Sequence, residues 1–192
     1  MKSGLPGVFL LILTITAAGC RQGEPSLRKM TALEAAELLS FEVGAWETTM
    51  LSAGPDGEET RQLFHVLTNW KERGKSVVSI IRLREGPGAN MEIDISQEQE
   101  YYPRKGLIIA RKTTRYGDRT AHTAVEITHR SFHPATRTIE ERRVSPEVPA
   151  GHRMKVSTRL IGSDRSETSW EWWGEGKLLS SGKFHNKRVK LP

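Results

Sequence analysis

From residue 41 onward the chain repeats one texture. Apolar and polar side chains alternate in short runs, and clusters of Gly, Pro, Asn and Asp cut the runs every roughly 8–15 residues, as strands joined by tight turns do. Met91, Ile93 and Ile95 fall on one face of such a run and Glu92 and Asp94 on the other. Met154, Val156 and Leu160 alternate with Arg153, Lys155 and Arg159, and Phe64, Val66 and Trp70 with His65 and Asn69. This period of two marks half-buried strands. Nine breaks, from "AGPDGE" at 53–58 to "GEGK" at 174–177, delimit about ten strands. Short connections favour an antiparallel meander, and a sheet that wide tends to curl and close, which removes its edges. The fold expected is all-β, a barrel of about ten strands. Only "TALEAAELLSF" at 31–41 has another rhythm. Thr31 with Glu34 three residues on matches a capping box, and Leu33, Ala36 and Leu38/Leu39 can form one apolar stripe, so one short helix precedes the strands.

The first twenty residues belong to neither pattern. Lys2 supplies one positive charge, Val8 to Thr16 are mostly apolar, and Ala17-Ala18-Gly19 are small residues suited to a signal peptidase. The apolar run is shorter than the roughly 20 residues of a membrane-spanning helix. It leads to Cys20, the single cysteine of the chain. The stretch resembles a bacterial lipoprotein signal, which implies cleavage before Cys20 and a lipid on its thiol. Two or more acyl chains, at about 0.8 kcal/mol per buried methylene, hold a protein stably on a membrane. Arg21 follows the cysteine, where lipoproteins kept at the inner membrane of Gram-negative cells typically carry Asp. The resemblance therefore implies the outer membrane in such a cell. The organisation read from sequence is a signal peptide over 1–19, a lipidated tether over 20–30 and one domain over 31–192.

Charge narrows the partners. Cleavage before Cys20 removes 19 residues and one lysine from a chain of 192 with net charge +6, leaving 173 residues and +5. That length suffices for one domain with a real core. The basic residues come as scattered doublets, such as Arg104-Lys105, Arg111-Lys112 and Arg142-Arg143, as solvated strand edges do. No nucleic-acid partner is expected, and no protein partner can be named. With one cysteine, intrachain disulfides and multi-thiolate zinc sites are excluded.

After the helix comes "FEVGAWETTM", in which Gly44-Ala45-Trp46 matches the Gly-x-Trp signature opening the first strand of lipocalins and other calycins. The short helix before it and the all-β meander after it also resemble that superfamily, over approximately residues 38–190. The resemblance implies a Trp46 that plugs one barrel end under a basic side chain of a late strand. Arg188, or Lys187, in "FHNKRVK" is the candidate, and a cation over an indole face is favourable. Nitrobindin-like haem barrels share the Gly-x-Trp element, but the rest of their N-terminal pattern is absent, so no cofactor is expected.

No catalytic constellation emerges. His122 and His129 are seven apart and face opposite sides of a regular strand, and a turn with Pro134 separates His129 from His133. The chain has no His-Glu-x-x-His and no Gly-x-Ser-x-Gly, and "EGPGAN" lacks the Lys-Ser/Thr of a phosphate loop. Glu140-Glu141 beside Arg142-Arg143 reads as a solvated edge. In "SWEWWGEG", Trp170 and Trp172 share a face opposite Trp173. Interior candidates are Ile93, Ile95, Val156, Leu160 and either Trp170 and Trp172 or Trp173. If they enclose space, the barrel binds a small apolar or amphipathic ligand without catalysis. If they fill it, the domain is a structural or protein-interaction module of the envelope. An enzyme is a more distant reading.

Overall fold

The structure, a computed structural model, describes residues 26–90, 93–116 and 123–190. The signal segment, Cys20, Met91 and His122 lie outside the described residues. Helix α1 (Ala32–Glu42) is followed by ten strands: β1 (Gly44–Ala53), β2 (Glu59–Glu72), β3 (Ser76–Glu85), β4 (Ile93–Tyr102), β5 (Leu107–Tyr116), β6 (Thr123–His133), β7 (Thr138–Ser145), β8 (His152–Ile161), β9 (Arg165–Gly174) and β10 (Lys177–Val189). Each strand pairs antiparallel with the next, and β1 pairs with β10 to close the barrel. Closure leaves the sheet without an open edge.

The helix closes one end. Thr31 caps it, its hydroxyl accepting from the Glu34 amide at 3.2 Å while Glu34 accepts from the Thr31 amide at 2.8 Å. The face turned to the barrel carries Ala35, Leu38 and Leu39, all fully buried. The sequence pattern placed Leu33 and Ala36 in the stripe. Leu33 is instead 81% exposed, because the buried face follows 35, 38 and 39, about one turn apart. Val77, Tyr101, Ile108, Phe132, Ile139 and Leu160 meet the helix from the strands and complete the core. The hydrophobic core thus occupies the helix end of the barrel and not its middle.

Ahead of the helix, Met30 belongs to this core and Arg28 is fastened at its rim. Met30 is buried, its amide donates to the Gly106 carbonyl at 2.7 Å, and its carbonyl accepts from the Tyr101 hydroxyl at 2.8 Å. Arg28 donates to the Phe132 carbonyl at 2.8 Å and pairs with Glu34 at 2.6 Å. Gly106, at φ +64°, makes the passage possible: a Cβ there would stand 2.8 Å from the Cβ of Lys29.

Candidate functional site

The floor of the site is built where α1 hands over to β1. Three successive carbonyls at the helix end would be orphaned, as helix termini leave them. Arg188 on β10 donates to those of Val43 and, at 2.6 Å, Phe41, while the Trp46 indole N–H donates to that of Glu42 at 2.8 Å. The guanidinium lies over the Trp46 ring at 4.4 Å, and the Phe41 ring packs 5.2 Å from it. A cation at a helix C-terminus also meets the negative end of the dipole. Gly44 clears the way. Its φ is +127°, and a Cβ would lie 2.5 Å from the Arg188 guanidinium. Gly44, Trp46 and Arg188 therefore form one plug, with Arg188 and not Lys187 opposite Trp46 in the register.

Above the core lies a cavity of about 220 Å³. Most of its lining residues are polar, with Phe41, Trp46, Val66, Ile81, Ile139 and Leu160 among them. Thr48 donates to Asn186 at 2.7 Å, Asn186 donates to Ser166 at 2.9 Å, and the hydroxyl pairs Thr68–Ser79 and Thr158–Thr168 are 2.8 and 2.7 Å apart. Arg130 enters from β6 with its side chain only 7% exposed. It pairs with Glu42 at 2.7 Å and Glu141 at 3.2 Å and donates to the Gln99 carbonyl oxygen, while the Gln99 amide donates to Glu42 at 2.7 Å. Burial pulls the Arg130 pKa down, and the Glu42 and Glu141 charges more than offset this, so it stays charged. Removing such a group from water is costly without good partners. Here three partners are in place.

A second charged group lies nearer the open end. Lys112 is the cross-strand partner of both the cavity residue Gln97 and Glu126, and Arg143 is two residues beyond Glu141, so all face inward. Lys112 and Arg143 both pair with Glu126. Burial pushes the Glu126 carboxyl up, and the two cations overcome this and hold it low. The Tyr116 hydroxyl is raised by burial and by Glu126.

Of the interior candidates, Leu160 lines the cavity. Ile95 pairs with the cavity residue Ile81, Val156 with Trp170, and Met154 with Trp172, so these face inward too, further toward the open end, with Ile93 one step beyond Ile95. Trp170 lies against Gly182, where a Cβ would be 2.7 Å from the indole, and its Nε1 is buried with no hydrogen-bond partner. The Trp172 ring lies 5.8 Å from that of His152, the two planes tilted by 42°. Trp173 points outward under Arg153, 4.5 Å away, and donates to Glu171 at 3.0 Å.

Glu141 and Arg143 correct the reading of a solvated edge: they point inward, and Glu140 and Arg142 do not. The sequence reading also missed Arg130, Glu42 and Gln99. A signal existed in "THRSFH", where Arg130 has the parity of the buried Phe132. Among the described residues, no three His, Cys, Asp or Glu side chains gather as a metal would require.

No protein-family model matches the chain, and no curated protein does. In backbone shape it is similar to the crystal structure of Rv2717c from M. tuberculosis, with a TM-score of 0.51 at 13% identity, over 81% of this chain and 98% of that one. A protein of unknown function from the DUF3598 family of Nostoc punctiforme aligns at a TM-score of 0.26 and 9% identity, over 83% and 100% of the two chains, and adds nothing to this. The likeness is one of fold.

Proposed function

We propose that the chain is an exported lipoprotein, lipidated on Cys20, whose lipocalin-like barrel binds a small amphipathic molecule without transforming it. The observation that carries the reading is the cavity of about 220 Å³ inside a closed barrel. It is smaller than the roughly 300–1,000 Å³ of drug-sized sites, which points to a compact ligand. Its lower wall of hydroxyls and amides suits a polar end. Ile95, Val156, Trp170 and Trp172 above it suit an apolar one. A purely apolar ligand would leave the lower wall's polar groups facing hydrocarbon, at a cost. The packed closed end agrees with an envelope module, but the cavity above it favours the carrier.

The anchor would also orient the barrel. Seven residues separate Cys20 from Arg28, which is fastened at the helix end, and seven residues span at most about 25 Å. The closed end would then face the membrane, in a Gram-negative cell the outer one, and the mouth the aqueous space. Intact mass should show the wild-type chain cut before Cys20 and diacylated or triacylated, and Cys20→Ser should carry no lipid and leave the membrane fraction or remain uncleaved. For the carrier, titrating the detergent-purified chain with small amphiphiles should alter tryptophan emission. Val66→Phe, which fills the cavity, should abolish the change while leaving the circular dichroism spectrum intact. Binding that survives the filled cavity would place the ligand elsewhere and defeat the reading.

A further inference from the structure

The two ends of the barrel differ in charge. Around the helix end, Arg73 sits in the turn between β2 and β3, Arg104 and Lys105 in that between β4 and β5, and Lys29 just ahead of α1; all four are exposed. They are neighbours. The Tyr101 amide donates to the Lys75 carbonyl at 2.9 Å, which holds the first turn beside the second, and the Met30 amide, bonded to the Gly106 carbonyl, lays Lys29 across Gly106. Most other charges at this end are matched: Arg28 with Glu34, Lys75 with Glu72 and Glu100, and Arg165 with Asp164. Arg137 and Glu37 line one groove and offset each other. Among the described residues, no carboxylate pairs with Lys29, Arg73, Arg104 or Lys105. The described turns at the mouth carry Asp56, Glu58, Glu147 and Glu175 and no lysine or arginine. Two large apolar side chains share the basic end. Leu33 is exposed on the face of α1 turned away from Ala35, Leu38 and Leu39, and Tyr102 is exposed two residues before Arg104. A soluble polyanion has no use for either, whereas a membrane interface takes leucine at the acyl boundary and tyrosine at the headgroups.

We propose that the helix end is a docking face for an anionic phospholipid bilayer, with Lys29, Arg73, Arg104 and Lys105 against the headgroup phosphates and Leu33 and Tyr102 at the interface. This rests on the reading of Cys20 as a lipid anchor, which brings the bilayer to this end through the seven residues before Arg28. The anchor fixes one point of the barrel. The face fixes its direction, because an anionic leaflet attracts the basic end and repels the acidic turns of the mouth. The mouth is thereby held open to the aqueous space.

The test is lysine footprinting. The chain, purified from its own cells in mild detergent, is placed on vesicles of phosphatidylcholine alone or of phosphatidylcholine and phosphatidylglycerol in equal parts. An amine-reactive ester then labels it, and peptide mass spectrometry reads each lysine. On the anionic vesicles Lys29 and Lys105 should label at least about fivefold more slowly than on the neutral ones, and Lys177 at the mouth equally on both. Molar salt, which shortens the screening length to about 3 Å, should remove the difference. Arg73→Gln with Arg104→Gln, both exposed turn residues, should weaken docking about 25-fold, about fivefold for each cation, and restore the labelling. Leu33→Ser should restore it in part. Equal labelling on the two vesicles, or shielding at Lys177 instead, overturns the docking face and leaves anchor and carrier standing. Shielding by soluble heparin with none by the anionic vesicles overturns it too, and gives the cluster to a soluble polyanion. If intact mass shows no lipid, the anchor reading fails by itself and flotation decides the face. A chain that rises with anionic vesicles only keeps it, and one that rises with neither, or with both alike, loses it.

Discussion

Replacing Arg130 by methionine removes the guanidinium while keeping much of the side chain's length and apolar stem. In the wild type it holds Glu42 at 2.7 Å and Glu141 at 3.2 Å and donates to Gln99, with its own side chain 7% exposed. The variant leaves two carboxylates in one partly buried site without their shared cation. Taking away one partner of a buried ion pair costs roughly 3–5 kcal/mol, most of it the penalty on the charge left behind. Neutralising the whole group is different. The triple variant Arg130→Met, Glu42→Gln, Glu141→Gln removes the orphaned charges too, and buried networks replaced entire are often close to neutral, so it should recover to within about 2 kcal/mol of wild type. Urea unfolding at pH 7, followed by tryptophan emission, measures both. A single variant that loses less than about 1 kcal/mol would show that Arg130 is solvated. A triple variant no more stable than the single one would show that shape, and not charge, carries the loss. Either result refutes the network as described.

Trp46→Ala should cost about 3–5 kcal/mol, the usual range for a buried aromatic, because it opens the plug beneath Arg188 and frees the Glu42 carbonyl. A loss below 1 kcal/mol, read in the same urea assay, would mean that the plug is not a structural element (roughly the effect of an exposed site). Acid should loosen the helix end first. The Arg28 hydrogen bond, then the Thr31 amide, hold the Glu34 carboxyl down to about 2, below its ordinary 4.5. A carboxyl depressed in the folded state contributes stability that is present above about 4.5 and is lost as pH falls toward about 2. Hydrogen exchange at the Glu34 and Ala35 amides should accelerate over that window relative to the barrel strands, and in Glu34→Gln the pH dependence should vanish.

Much of the architecture was legible because its signals are local. The capping box of Thr31 and Glu34, and the Gly- and Pro-rich breaks, each state their own geometry, and ten strands follow from nine breaks. Gly-x-Trp with a late arginine was legible only through the resemblance to calycins, and the structure supplies its reason: φ +127° at Gly44 is a backbone demand that almost only glycine meets. The interior was harder. Alternation separates two faces of a strand but does not say which is inside when both are polar. Arg130 and Glu141 face in while Arg142 and Glu140 face out, though all four sit in runs of similar composition. Leu33 misled in the opposite sense. It lies at helical spacing from Ala36, yet the barrel meets the helix along Ala35, Leu38 and Leu39. What selects the inner face is the closure of the sheet over the helix, a non-local event with no signature in any one run. The cavity's polar wall was for that reason invisible until the register between strands was known.

The claim at the centre of this account is that the barrel carries a small guest. Native mass spectrometry of the chain, purified from its own cells in mild detergent and kept at low collision energy, tests it most directly. The account predicts a peak above the bare chain by the mass of one compact molecule, lost on activation and absent from the Val66→Phe variant. A chain that flies only without a guest, at every energy and from every growth condition tried, with the same spectrum for wild type and the filled-cavity variant, would contradict it.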